Sequence, residues 1–120
     1  MATSGGKDNR VVRLVCTVKG EPEEKFPLTF EVTLDKDLIA RGRAYFGFQG
    51  LLSGELYPFV LYPDGRLDFG SGYDDDDRYT SSNILDKAIE RGAIFTTRER
   101  DPDTDRVREY VYVIKQIVTL

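Results

Sequence analysis

The chain is 120 residues long, 40% hydrophobic and 12% aromatic, with a formal net charge of −4, no histidine and a single cysteine, Cys16. That length suits one domain with one core, and the acidic balance disfavours duplex nucleic acid as a partner. The composition excludes an internal disulfide and every catalytic or metal site built on histidine or paired cysteines. No stretch reaches the roughly 20 apolar residues of a membrane-spanning helix, so no membrane partner is expected.

Residues 1–9 read as a flexible leader with no apolar core for a secretory signal, followed by a single β-rich domain over residues 10–120. Val12, Leu14, Cys16 and Val18 alternate with Arg13, Val15, Thr17 and Lys19, the period-two pattern of a strand with one buried face. A polar turn at 20–25 leads to a second alternation, in which Leu28, Phe30, Val32 and Leu34 share a face. The two runs predict an antiparallel hairpin with one wet side and with Cys16 turned to the core.

Residues 35–42 fit either one helical turn, capped by Asp35 and stopped by Gly42, or an extended segment. Strands are predicted at 43–48 and 55–62. The glycines between them mark bends and match no phosphate-binding loop. Pro58 removes a ladder donor and so predicts an edge position or a bulge. A turn at Pro63-Asp64-Gly65 is followed by a short return strand carrying Leu67 and Phe69.

One short helix is predicted over 82–91, capped by Ser81 or Ser82 and stopped by Gly92, with Ile84, Leu85, Ala88 and Ile89 as its apolar stripe. The chain then closes with a hairpin. Charge sets its register: Arg98 opposite Glu109, Glu99 opposite Arg108 and Asp101 opposite Arg106 are all attractive, and Phe95 then meets Tyr112 while Thr97 meets Tyr110. The run from Arg106 to Leu120 is apolar on both faces, which predicts cover from both sides. The expected fold is mainly β, bordering on α+β: six or seven mostly antiparallel strands in a strongly curved sheet or small barrel, plus the helix at 82–91.

Function is less constrained. Residues 64–90 hold eight acids against three bases, including the run Asp74, Asp75, Asp76 and Asp77 flanked by Tyr73 and Tyr79. Aromatic anchors beside acidic charge suit a contact surface for a basic or polar protein partner. Asp101, Asp103 and Asp105 match the opening of a calcium loop, but Arg106 stands where its sharp turn needs glycine and Tyr112 where a closing glutamate belongs. Arg98, Arg100, Arg106 and Arg108 offer a single-stranded nucleic-acid surface, against which stands the local balance of five arginines and five acids. Glu31, Glu55, Asp68 and the 74–77 run contain no spacing that selects a catalytic acid–base pair.

The expectation is therefore a small non-catalytic interaction module, cytoplasmic and without a cofactor, whose acidic loop contacts a protein. A second copy of the chain is a further candidate partner. The alternative is a binder of a small ligand or Ca²⁺ that uses the barrel mouth or the acidic loops. A cavity of several hundred cubic ångströms lined by Tyr and Phe would favour the ligand version.

Overall fold

Alternation along the chain closes into a barrel. A computed structural model describes residues 9–22, 26–51, 53–101 and 103–120, without the side chains of Asp75 and Asp76. Most of the expected leader, residues 1–8, lies outside the described residues. Among the described residues there are nine strands: β1 (Asn9–Val18), β2 (Leu28–Asp35), β3 (Leu38–Ile39), β4 (Tyr45–Gly50), β5 (Leu56–Leu61), β6 (Arg66–Asp68), β7 (Tyr79–Ser82), β8 (Ile94–Arg100) and β9 (Val107–Thr119). The ladder runs β1-β9-β8-β7-β6-β5-β4-β2, and pairing of β1 with β2 joins its ends. Every pairing is antiparallel, and β3 is a two-residue appendage on β2. The mainly β barrel expected from the sequence is thus present, with eight strands in the closed wall instead of six or seven.

The hairpin register follows the charges as predicted: Arg98 faces Glu109, Glu99 faces Arg108, Phe95 faces Tyr112 and Thr97 faces Tyr110. The β1–β2 hairpin also forms, and Cys16 is fully buried. Residues 35–42 take the extended option, as β3 after a turn at Lys36. Pro58 sits where β5 has only β4 beside it, because β6 pairs only with Val60 and Leu61.

The helix expected over 82–91 does not form. Tyr79–Ser82 is instead the eighth wall strand, paired to β6 on one side and β8 on the other. Beyond it lies only a 3₁₀ turn, Ile84–Asp86. A ten-residue helix is marginal by itself, and Ser82 is held in the ladder by its N–H donating to the Gly65 carbonyl at 2.8 Å. Asn83 is held to β8 in turn, its Oδ1 accepting the Thr96 N–H at 2.8 Å. Three residues of the predicted stripe, Ile84, Leu85 and Ile89, are buried and plug one end of the barrel, whereas the fourth, Ala88, is exposed. The Ile89 N–H donates to the Asp37 carbonyl at 2.7 Å, which fastens that plug to the β2–β3 turn.

Aromatic rings cross the barrel interior in a chain. Phe69 meets Phe59 at 5.4 Å, Phe59 meets Phe30 at 5.3 Å, Phe30 meets Phe95 at 5.9 Å, and Phe95 stacks on Tyr112 at 5.5 Å. Gly47 makes room for this layer, since a methyl there would fall on the Thr29 carbonyl oxygen and the Phe59 ring. On the plugged side of the aromatic chain the interior is filled by Val12, Leu14, Val32, Leu34, Leu61 and Ile114.

β9 reconciles its two apolar faces partly through a bulge. Cys16 pairs with Ile114 but Val15 pairs with Gln116, so Lys115 is an extra residue. The inward phase passes from Tyr110, Tyr112 and Ile114 to Ile117 on the far side of it, opposite Leu14.

Candidate functional site: the open mouth of the barrel

The inward face changes character along the strands. On β8 it reads Phe95, Thr97, Glu99; on β4 it reads Tyr45, Gly47, Gln49. Both sequences run from the plugged end towards the other end, and there the packing stops short. A cavity of about 640 Å³ opens above the aromatic chain. Its deepest walls are Leu28, Leu67, Thr97 and Tyr112, all buried. Val18, Phe69, Thr80 and Tyr110 are half-buried further up, and Phe26 and Tyr73 stand exposed at the rim.

The mouth carries several polar groups among its aromatic and aliphatic walls. Tyr112 is 5% exposed, and burial pushes its hydroxyl up to about 12, with the negative field of Glu99 adding to that and the Gln49 amide opposing it. Tyr112 is therefore a neutral hydroxyl at physiological pH. The Tyr57 hydroxyl donates to Glu55 Oε2 at 2.8 Å, an interaction that raises its pKa. Thr97 is 3% exposed and lines the cavity. Among the described residues, the charged side chains at the mouth are Glu21, Asp77 and Glu99.

Register and ion pairing part company at Glu99. Arg108 lies opposite it in the ladder, yet the Arg108 guanidinium donates to Asp101 Oδ2 at 2.6 Å and hydrogen-bonds Tyr110, contacts that hold its pKa above the ordinary arginine value. Arg98 pairs with Glu109 at 2.6 Å as its register requires. Arg100 pairs with Asp105. Arg98, Arg100 and Arg108, offered by the sequence as a nucleic-acid surface, each hold a carboxylate.

The sequence-selected residues divide among three places. Tyr73 and Asp77 reach the mouth, Asp77 from a single helical turn, Asp75–Arg78. Asp74 is exposed beside them, and the side chains of Asp75 and Asp76 lie outside the described residues. Tyr79 is on the outer wall, where Arg66 and Arg78 lie over its ring at 5.0 and 4.9 Å. That outer cluster is organised by Asp68, whose carboxylate accepts from Arg78 Nε at 2.8 Å and from the Gly70 N–H at 2.9 Å. The Arg78 guanidinium holds the Asp68 carboxyl below the usual range. Asp101 and Asp105 are committed to Arg108 and Arg100, and Asp103 donates its N–H to Asp101 at 3.0 Å. Among the described residues no three carboxylate or cysteine side chains converge as a metal would need.

Thr97, Glu99, Tyr110, Tyr112 and Gln49 were not singled out as site residues from the sequence. The signal was present in the strand pattern, as polar residues continuing the core face of β8 and β4. Comparison of the chain with protein-family models, curated proteins and solved structures finds no match. No helix among the described residues is long and apolar enough to cross a membrane.

Proposed function

We propose that this protein binds a small molecule in the open end of its barrel. The supporting observation is the cavity of about 640 Å³ with aromatic walls and a floor of buried side chains. Small-molecule sites are concave, mostly apolar and supplied with a few convergent polar groups. An eight-stranded barrel is wide enough either to be filled by its own side chains or to hold one ligand; here one end is filled and the other is not. The reading is of a binder in the cytoplasm, not a catalyst: the mouth holds carboxylates and hydroxyls, with no nucleophile–base pair among its described residues.

A screen of small soluble compounds by amide chemical-shift perturbation tests this. Shifts are expected at Leu28, Gln49, Thr97, Tyr110 and Tyr112, and Val18→Trp, which fills the wall of the mouth, should abolish them while circular dichroism shows the fold retained. Shifts confined to other surfaces, or unaffected by Val18→Trp, would discard the reading.

A second reading keeps the partner outside. Tyr73 is 44% exposed and Asp74 is exposed beside it, an aromatic anchor next to charge that fits a basic protein surface. Changing residues 74–77 to Asn should then weaken capture of a protein partner and leave small-molecule shifts in the mouth intact.

A further inference from the structure

We infer that the ligand of the mouth is an organic cation, an amine or quaternary ammonium group on an apolar body, and that Glu99 is the carboxylate that receives it. This ligand class rests on the small-molecule reading above and narrows it.

The charged side chains among the described residues lining the cavity, Glu21, Asp77 and Glu99, are all acidic. Charges of one sign in a cleft with low-dielectric walls focus their field into the cleft and concentrate counter-ions there. Glu99 has the most to gain from such a counter-ion. It lies on the inward face of β8, two residues past buried Thr97, and it is half-buried. Its side chain makes no hydrogen bond or ion pair among the described residues. The cation that the ladder places opposite it, Arg108, is held instead by Asp101 and Tyr110. An ammonium group entering the mouth would give this half-buried carboxylate the counter-charge that the ladder does not.

The walls suit the same ligand. Tyr57, Tyr73, Tyr110 and Tyr112 all line the cavity. Aromatic rings attract a desolvated cation through their quadrupole and accept an apolar body equally well. Anionic ligands, whether fatty-acid carboxylates or phosphate esters, would meet Asp77 and Glu99 with no lysine or arginine among the described lining residues, so the mouth discriminates by repulsion as well as attraction.

Three probes with one body separate these terms: 4-phenylbutylammonium, 4-phenylbutan-1-ol and 4-phenylbutanoate, titrated by calorimetry with amide shifts to locate them. The ammonium is expected to bind about tenfold more tightly than the alcohol, and the carboxylate most weakly. Glu99→Gln, isosteric and breaking no contact, should bring the ammonium to within about twofold of the alcohol and leave the alcohol's own affinity unchanged. An alcohol that binds in the mouth as tightly as the ammonium overturns the cation while the small-molecule reading stands. A preference for the ammonium that survives Glu99→Gln overturns the role of Glu99. Failure of all three probes to bind in the mouth at millimolar concentration overturns both the cation and the reading it narrows.

Discussion

The two ends of this barrel are built by the same eight wall strands and do opposite things. At one end Leu34, Leu61, Ile114 and the 84–89 plug fill the interior with branched aliphatic side chains, and the plug is fastened by a main-chain hydrogen bond to the β2–β3 turn. At the other end the inward positions turn aromatic, hydroxylic and acidic, and they leave space. Folding by itself favours filling such space, since an unfilled interior forgoes dispersion contacts and transfer free energy. The contrast teaches that the closed end supplies the stability that lets the open end remain unfilled. A glutamate and a threonine on the core face are tolerated because they lie beyond the aromatic chain from Phe69 to Tyr112.

The largest effect should come from breaking the plug. Ile84 is fully buried, and Ile84→Ala should cost about 2–5 kcal/mol, the transfer term plus a cavity that the surrounding wall can close only in part. Tyr73→Ala at the rim should stay within about 0.5 kcal/mol of the parent. Urea denaturation with a common m-value measures both. Equal costs at the two ends would remove the distinction between a filled end and an open one.

Sequence pattern carried the wall further than it carried the plug. The β8–β9 register was legible because opposite charges directly across a ladder have one good alignment, and Arg98–Glu109 realises it. The residues from Ser82 to Arg91 were illegible as irregular structure, because a serine followed by apolar residues at helical spacing is equally what a buried plug needs. Long-range rungs from Ser82 to Gly65 and Thr97 decided the outcome, and nothing local announces them. Tyr73 and Asp77 were found through charge concentration, whereas Tyr79, chosen by the same criterion, packs beneath arginines outside the barrel. Glu99 was paired correctly by position and wrongly by ion pair: the register does not say that Arg108 reaches on to Asp101.

Acid should loosen the open end and spare the closed one. Asp68 and Arg78 bracket the acidic loop and clasp it through two hydrogen bonds of 2.8 and 3.2 Å, with the Gly70 N–H adding a third at 2.9 Å. The native Asp68 carboxyl keeps its charge to lower pH than the same group in the unfolded chain. Its contribution is therefore complete above the ordinary aspartate range and is lost as pH falls through the depressed native value, below about pH 4. Hydrogen exchange read against pH should show amides of residues 69–79 losing protection on acidification while those of Leu34 and Ile114 keep theirs. Asp68→Asn should bring the loop's weaker protection to neutral pH and flatten its acid dependence. Uniform loss at both ends would show that the clasp does not belong to the mouth alone.

A small change in stability separates function from folding most cleanly. Thr97 is buried and faces the cavity. Thr97→Val exchanges its hydroxyl for a methyl of similar shape. The exchange keeps the side-chain shape, so the variant should unfold within about 1 kcal/mol of the parent. Ligand affinity should fall by roughly two- to tenfold, the net worth of one hydrogen bond. A loss of stability with unchanged binding would reverse the assignment, making Thr97 part of the scaffold and moving the boundary between the two ends up to the rim.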